Sequence, residues 1–247
     1  MSDSSMALAL AGFSFLLTVI WGEPLLRVLR HLKVGDLIRI DGPQSHFSKL
    51  GTPTMGGLLI LLPVALLTIL LNFAGFVGFS GIGRSVMVPL GTMFGFLLLG
   101  AADDLEKLRA KRVRGEGMRA RTKFIIQVVF AVIIAIGLYF VLDVPQLFVP
   151  GIEIEVPLGV WYIPIAAFLI VMSANAVNFT DGLDGLAGLI SATAFATYGT
   201  IALLQEQVFL SRFCFTVVGA LFGFLWFNVH PAQLFMGDTG SMPLGAT

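Results

Sequence analysis

Five aspartates stand at the ends of long apolar segments of this chain. Asp103 and Asp104 lie in AADDLEKLRAK, Asp181 and Asp184 in NFTDGLDGLAG, and Asp238 in FMGDTGS. For any one of them alone, solvation at a membrane surface is the simpler explanation. Taken together, with three of them beside glycines that let the backbone come close to a ligand, they favour a binding site, because acids in such positions of membrane proteins are commonly functional.

The residue types around these acids indicate which ligands such a site would hold. Carboxylate oxygens without a nearby cysteine, in a chain with only three histidines, favour a hard cation over zinc. Mg²⁺ binds one or two carboxylates and completes its coordination with water and substrate phosphates. Lysines able to hold phosphates lie in or beside the same segments, at Lys49, Lys107, Lys111 and Lys123. Acids for a metal and bases for an anion are together typical of phosphoryl transfer.

Amide, aromatic and histidine side chains near the acids allow more than one interpretation. Phe235 either stacks on a base or anchors a loop at the membrane interface. Asn178 and Asn228 are candidates to hydrogen-bond a nucleotide or a sugar, and Asn228 is equally well placed for a helix C-cap. His46 and His230 lack the spacing of a metal site, which favours a role other than ligation.

The composition predicts the elements that position these residues. Only 12% of the residues are charged and 57% are hydrophobic, whereas soluble domains are about 25% charged. Seven apolar runs reach the roughly 20 residues that a helix needs to cross hydrocarbon. They lie at about 6–26, 55–74, 85–102, 123–142, 159–177, 186–204 and 209–228. The sequence therefore predicts an all-α polytopic membrane protein, and without any linker it predicts one integral membrane domain over 1–247.

The basic residues predict how these helices are oriented. Of the 15 lysines and arginines, five lie between the first and second apolar runs and eight between the third and fourth. Such residues stay on the cytoplasmic side during insertion. We therefore expect the N-terminus outside and all five aspartates at the cytoplasmic face. The segment 142–161 alternates apolar and polar residues around a Pro-Gly pair, which predicts a small β-hairpin or an amphipathic cap on the outer, periplasmic face.

Four segments, taken in order, resemble a known enzyme family. They are DGPQSHFSKLGTPTMGG, the AADD pair with Lys107, NAVNFTDGLDGLAG and PAQLFMGDTGS. Together they closely resemble the phospho-N-acetylmuramoyl-pentapeptide transferase family of the polyprenyl-phosphate N-acetylhexosamine-1-phosphate transferase superfamily. The resemblance extends from about Asp41 to the last residue.

This resemblance implies the first membrane step of peptidoglycan synthesis in the bacterial inner membrane. In that step undecaprenyl phosphate attacks the β-phosphate of UDP-N-acetylmuramoyl-pentapeptide at the cytoplasmic face, which yields lipid I and UMP with Mg²⁺ as cofactor. The partners implied are the two substrates and the bilayer, with a homodimer as a further option and no nucleic acid.

Matched motif by motif, the resemblance also implies residue roles. The catalytic residues would be Asp103, Asp104 and Asp238, with Asp238 as the magnesium ligand and Asp103 engaging the lipid phosphate. The uridine and diphosphate region would take in seven residues, with Phe235 as the ring that stacks on uracil: Lys49, Thr54, Asn178, Asp181, Asp184, Asn228 and Phe235. Lys107 and Lys123 match the family's basic positions in the second cytoplasmic loop.

Two other functions remain open on the residues alone, and one feature departs from the family. A sister transferase that moves N-acetylglucosamine-1-phosphate shares the paired aspartates, although SKLGTPTMGG favours the muramoyl-pentapeptide enzyme. A transporter or channel would place acids at the midplane, whereas these lie at one face. Family members have ten spans and a histidine-rich loop after the ninth, so we expect the C-terminal part to be missing here and this chain to be inactive alone.

Overall fold

The structure is a computed structural model of the chain. It describes residues 3–32, 52–76, 84–109, 117–143, 146–148 and 155–247. Lys49, His46 and Lys111 lie outside the described residues, so their roles stay predictions.

Eight α-helices, a two-stranded hairpin and a short 3₁₀ helix (Gly159–Trp161) make up the regular structure of the described residues, and the helices and strands follow one another in a simple order. In chain order they are α1 (Asp3–His31), α2 (Gly57–Phe76), α3 (Arg84–Arg109), α4 (Ala120–Val141), β1 (Gln146–Phe148), β2 (Glu155–Pro157), α5 (Tyr162–Thr180), α6 (Leu186–Leu204), α7 (Val208–Asn228) and α8 (Asp238–Ala246). The seven predicted apolar runs correspond to α1 through α7. The short α8 is an additional helix, and it begins at the last of the five aspartates.

The helices have the length and surface of membrane spans. Within the described residues six are long and apolar enough to cross a membrane, and α2 contributes a shorter apolar stretch, Gly57–Asn72. Their outward faces expose large apolar side chains, such as Phe140 at 70% and Leu204 at 80%. Lipid accommodates such surfaces and water does not. Helices form from these runs because hydrocarbon offers no partner for an unpaired backbone group. The prediction of an all-α polytopic membrane protein is confirmed.

Helix α7 lies at the centre of the bundle and packs against α1, α2 and α6. Small residues on α7 allow the close approach to α1, as is usual between membrane helices. A Cβ added at Gly219 would lie 2.0 Å from the carbonyl oxygen of Ala11, and one at Gly223 would lie 2.6 Å from the Cβ of Thr18. Larger residues there would push α1 away from the core.

The predicted hairpin is present between α4 and α5. Strands β1 and β2 pair antiparallel, with Gln146 opposite Pro157 and Phe148 opposite Glu155. It follows the C-terminal end of α4, whereas Lys123 lies in the first turn of that helix. The hairpin and the candidate site residues are therefore at opposite ends of α4.

The polar candidates gather because alternate helices run in opposite directions. Helices α3, α5 and α7 end where α2, α4, α6 and α8 begin. The loops 52–56, 117–119, 181–185 and 229–237 meet at this same end of the bundle. A site built here draws on residues far apart in sequence and held by rigid helix termini.

Candidate active site

Three of the five aspartates form a compact, buried cluster. Asp103 and Asp104 lie in the penultimate turn of α3, and Asp238 is the first residue of α8. One carboxylate oxygen of each lies within 4.8 Å of the others. The three residues are only 2%, 2% and 8% exposed. Among the described residues they are the one group of three acids close enough to share a metal ion.

A tight turn before α8 brings Asp238 onto α3. Gly237 has a φ of 70°, which a residue with a side chain rarely adopts. A Cβ at this position would lie 2.7 Å from Thr54 Oγ1 and 2.8 Å from Asp104 Oδ2. The glycine of the GDTG motif is thus required both for its backbone conformation and for the contact between the two loops.

Two lysines compensate the charge of the cluster. The ammonium of Lys107 lies 3.2 Å from Asp103 Oδ2, 3.1 Å from Asp104 Oδ1 and 3.1 Å from Asp238 Oδ2. Lys123, from the first turn of α4, donates to Asp103 Oδ2 at 3.1 Å and also makes a short contact with Asp238 Oδ2. Buried carboxylates this close together require such partners, because like charges repel strongly away from water.

Backbone and hydroxyl groups hold the two carboxylates of α3. The backbone N–H of Met118 donates to Asp103 Oδ1 at 2.6 Å. Asp104 Oδ2 accepts from the N–H of Thr239 at 2.9 Å and from its hydroxyl at 2.5 Å. The N–H of Thr239 lies in the first turn of α8, so it has no intrahelical partner and is directed at the anion.

Asn178 orients the third carboxylate. Its amide nitrogen donates to Asp238 Oδ1 at 2.6 Å and to Ser241 Oγ at 2.8 Å. Burial alone would raise the pKa of the Asp238 carboxyl, but a hydrogen bond with Asp103 and the charges of Lys107 and Lys123 outweigh burial and hold the pKa well below its usual range. Asp238 is therefore an anion at neutral pH.

The other two aspartates lie beside the cluster and hold the loop 229–237. Asp181 Oδ2 accepts from the N–H of Gly237 at 3.1 Å. Asp184 Oδ2 lies 2.9 Å from Nδ1 of His230 and accepts from the N–H of Ala232 at 3.4 Å. The sequence did not reveal this pairing of His230, because 46 residues separate it from Asp184.

Asn228 links two loops of the site. Its side-chain oxygen accepts from the N–H of Gly185 at 2.9 Å, and its amide nitrogen donates to the carbonyl of Leu234 at 2.8 Å. The residue is 4% exposed. The C-cap of α7 is Val229, so the alternative of Asn228 as that cap is not what the structure shows.

The loop before α2 joins the site through a short ladder of backbone hydrogen bonds. Phe235 donates to the carbonyl of Pro53 at 2.8 Å and accepts from Gly56 at 2.8 Å, and Gly57 donates to Met236 at 3.0 Å. Thr54, inside this loop, is buried, whereas Phe235 is only partly buried.

Some residues of the site escaped sequence reasoning. Thr239 contacts Asp104 of the cluster directly, whereas Ser241 accepts a hydrogen bond from Asn178, and the GDTGS motif was a visible signal for both. Gln127 of α4 and Asn175 of α5 form a second pair, deeper in the bundle. The side-chain nitrogen of Asn175 donates a hydrogen bond of 2.9 Å to the side-chain oxygen of Gln127. Asn175 stands in the NAVN sequence one turn before Asn178, whereas nothing in the sequence of α4 marks Gln127 beyond its polarity.

The donor set fits a hard divalent cation. Three carboxylates provide oxygen ligands, no cysteine or histidine contacts the cluster among the described residues, and the cluster is enclosed enough to limit water. The ammonium groups of Lys107 and Lys123 lie against these acids, so the cluster already holds positive charge where a cation would bind.

Comparison with known proteins identifies sequence families that match this chain. Residues 86–247 match the sequence profile of glycosyl transferase family 4, and residues 49–61 match the phospho-N-acetylmuramoyl-pentapeptide-transferase signature 1. All of the clustered aspartates and lysines lie in the first of these ranges, and Lys49 and Thr54 lie in the second.

Relatives from several bacteria carry the name phospho-N-acetylmuramoyl-pentapeptide-transferase. The one from Chloroflexus aurantiacus is 45% identical over 99% of this chain and 66% of its own length. Those from Geobacillus sp. and Bacillus mycoides are 41% and 40% identical, over 99% and 96% of this chain and over 74% and 72% of their own lengths. The chain thus spans 66% of the Chloroflexus relative.

Proposed function

Because the chain belongs to glycosyl transferase family 4, among the phospho-N-acetylmuramoyl-pentapeptide-transferases, we propose that it makes lipid I. It transfers phospho-N-acetylmuramoyl-pentapeptide from the UDP-linked donor to undecaprenyl phosphate and releases UMP. The observation that carries this proposal is the buried cluster of three carboxylates and two lysines at one end of the helix bundle. Phosphoryl transfer depends mainly on positioning and charge stabilisation, which such a cluster supplies.

Mg²⁺ is the proposed cofactor. Asp238 would be its principal ligand, with Asp103 and Asp104 within reach of the same ion. When bound, the ion would neutralise charge on the diphosphate of the donor. The observations behind this assignment are that Asp238 shares one centre with the other two carboxylates and that Asn178 orients its Oδ1.

A direct, one-step displacement suits the contacts of Asp103. An oxygen of undecaprenyl phosphate forms a bond to the β-phosphorus, and the bond from that phosphorus to the oxygen of UMP breaks. The attacking phosphate is largely a dianion at neutral pH, since its second pKa is near 6, so a base has little proton to remove. Asp103 is a poor nucleophile here, because Met118 holds one of its oxygens and two lysines hold the other.

The lysines bring two anions together. Lys107 is 30% exposed at its side chain and Lys123 is 18% exposed. Both ammonium groups therefore border the open side of the cluster, where phosphates of either substrate would arrive. Lys49 would add to this charge from the loop before α2.

The uridine and diphosphate region would lie along the loops 52–56, 181–185 and 229–237. Phe235 is partly buried beside these loops and would be the ring that stacks on uracil. Thr54, Asp181 and Asp184 line or support the same loops. Asn178 and Asn228 would act through the groups that they position, since the amide of each is engaged by protein partners.

The protein's setting in the cell is part of the proposal. The enzyme would lie in the bacterial inner membrane with its N-terminus outside and its active site on the cytoplasmic face, as the distribution of lysine and arginine indicates. A homodimer in the bilayer is also proposed, on the resemblance alone.

A donor-specificity assay tests the proposed function. Membranes of a host that expresses the whole open reading frame containing this chain receive undecaprenyl phosphate and radiolabelled UDP-N-acetylmuramoyl-pentapeptide, and in parallel radiolabelled UDP-N-acetylglucosamine. We expect a labelled lipid and UMP from the first donor only, and none from Asp238→Asn. Label from UDP-N-acetylglucosamine alone would instead assign the sister transferase. Release of UMP from neither donor would count against a transferase.

A further inference from the structure

Lys107 occupies a special place among the charged groups of the site. Its ammonium lies within 3.2 Å of an oxygen from each of Asp103, Asp104 and Asp238. Lys123 contacts only Asp103 and Asp238 among the described residues. The ammonium of Lys107 is therefore the single positive charge that bridges all three carboxylates in the described part of the chain, which is the position that a bound cation would take.

We propose that Lys107 is an exchangeable counter-ion of this carboxylate triad. In the metal-free protein its ammonium holds the three carboxylates together, and a divalent cation displaces it when it binds. The displaced ammonium then faces the open side of the site, where it binds a phosphate of the substrate. This proposal deepens the proposed function and rests on it for the identity of the cation and the phosphate.

The triad needs a counter-ion in the absence of metal. Its three carboxylates lie within 4.8 Å of one another and are nearly inaccessible to water. Repulsion between charges at this distance is strong in a poorly hydrated site. One lysine compensates only one of the three charges, so Lys107 and Lys123 are both required to keep the metal-free site compact.

The exposure of the two lysines indicates which one exchanges. The side chain of Lys107 is 30% exposed and that of Lys123 is 18% exposed. Lys107 also lies near the end of α3, where its long, flexible stem can swing the ammonium into water without moving a helix. Lys123 is held in the first turn of α4 between two carboxylates and stays in place.

The carboxylates keep their orientation when Lys107 leaves. Each accepts at least one hydrogen bond from a group that is not a lysine, and the three donors are Met118, Thr239 and Asn178. The ligand oxygens are thus arranged by the protein and do not depend on Lys107 for their geometry. A cation enters a prepared site and has only an ammonium to displace.

This exchange couples metal binding to substrate binding. A divalent cation together with Lys123 supplies three positive charges for three carboxylates. The charge of Lys107 is then no longer needed in the triad and is available to an anion. The site would therefore bind phosphate groups weakly before the metal binds and more tightly afterwards. The metal ion would bind first and the phosphate second.

Chemical labelling of lysines tests the exchange directly. The full chain in detergent is treated briefly with an acetylating reagent, with Mg²⁺ or with NaCl at equal ionic strength, and modification of each lysine is measured by mass spectrometry. We expect acetylation of Lys107 to rise several-fold with Mg²⁺, while acetylation of Lys123 does not rise. Unchanged or reduced acetylation of Lys107 in the presence of bound Mg²⁺ would overturn the proposal.

Calorimetric titration with Mg²⁺ alone gives a second, independent test. In Lys107→Met we expect a Kd for Mg²⁺ about tenfold lower than in the unchanged chain, because a charge that competes for the same oxygens has been removed. The matched control is Arg121→Met, which removes one positive charge from an exposed position of α4 and should leave the Kd almost unchanged. Equal or weaker binding by Lys107→Met, or equal tightening in both variants, would overturn the proposal.

Thermal unfolding shows whether the Lys107→Met variant is folded in the absence of metal. We expect Lys107→Met to unfold at a lower temperature than the unchanged chain in chelator, and to recover with Mg²⁺ by a larger shift. A lower unfolding temperature that Mg²⁺ does not correct would count against the exchange. None of these measurements needs turnover, so a positive exchange without transferase activity would reject the proposed function alone.

Discussion

Asn178 donates a hydrogen bond of 2.6 Å to Asp238, which lies 60 residues further along the chain. The bond joins the end of α5 to the first residue of α8 and fixes the direction of the carboxylate that we assign to the metal. The same amide nitrogen reaches Ser241, one turn into α8. We therefore regard Asn178 as a positioning residue for the Asp238 carboxylate, and this role can be tested by mutation.

Replacing Asn178 should impair metal use more than folding. We expect Asn178→Ala to lower turnover by about tenfold, the effect of one lost hydrogen bond to a charged group, and to raise the Mg²⁺ concentration needed for half-maximal activity. Asn178→Asp should be worse, because it places a second charge against Asp238. Titration of activity with Mg²⁺ measures both effects. An unchanged Mg²⁺ requirement in both variants would show that Asn178 does not position this carboxylate.

Asp238→Asn should nearly abolish activity while leaving the fold intact. The change keeps the shape of the side chain and removes the charge of the principal proposed metal ligand. We expect a loss of at least about a hundredfold in turnover, in keeping with the electrostatic share of catalysis, together with loss of Mg²⁺ binding by calorimetry. Chelation of metal from the unchanged enzyme should cause a similar loss that added Mg²⁺ reverses. Normal Mg²⁺ binding by the variant would place the metal elsewhere.

Asp103→Asn should distinguish the two chemical routes. In a one-step displacement Asp103 contributes charge and position, so we expect turnover to fall by roughly tenfold to a hundredfold but to remain measurable. A two-step route through a phosphoryl-enzyme would leave none. Rapid quenching with labelled donor and no lipid acceptor should trap no labelled protein. Labelled protein that disappears in Asp103→Asn would establish the two-step route, and full turnover across pH 6–9 would exclude Asp103 as both nucleophile and base.

Gly237→Ala should damage both stability and activity. The φ of 70° and the approach of 2.7 Å to Thr54 Oγ1 leave no room for a Cβ. We expect a loss of about 1–3 kcal/mol in the free energy of unfolding, seen as a lower unfolding temperature. Gly12→Ala is the matched control, because a Cβ at Gly12 on α1 meets nothing within 4 Å. Equal effects of the two changes would contradict the tight turn at Gly237.

The pair Gln127 and Asn175 should stabilise the contact of α4 with α5. Their hydrogen bond of 2.9 Å lies one helical turn deeper than Lys123 and Asn178, and polar pairs between membrane helices contribute about 0.6 kcal/mol. We expect a coupling of that size in a double-mutant cycle of Gln127→Leu and Asn175→Leu, measured by unfolding in detergent. Additive effects of the two changes would show that the bond contributes nothing to stability.

Most of the helices could be predicted from the sequence. An apolar run of about 20 residues has few alternatives in hydrocarbon, because only a helix satisfies the backbone within one segment. The hairpin after α4 could also be predicted, because a Pro-Gly turn and alternating polarity determine structure within a few residues. Gly219 and Gly223 of α7 have the spacing of small residues in closely packed membrane helices, but that spacing does not say that Gly219 meets Ala11 of α1.

The chemistry of the site was only partly visible in the sequence. Residue types were enough to indicate a site of five aspartates, to suggest a hard cation and to point to phosphoryl transfer, whereas only the family resemblance singled out Asp103, Asp104 and Asp238. The inferences from residue types depend only on those residues and their near neighbours in the sequence. The sequence could not separate Asp181 and Asp184, which hold a loop, from the three aspartates that share one centre, because all five stand at similar helix ends.

Tertiary structure alone decided the partners within the site. Which helix ends meet depends on how seven long helices pack, and a shift of a few ångströms would move an ammonium from one carboxylate to another. The contacts of Lys107 with three acids, of His230 with Asp184 and of Asn228 with two loops follow from that packing. Local sequence set the elements and the reactive groups, and the distances that turn those groups into a centre arose only when the helices came together.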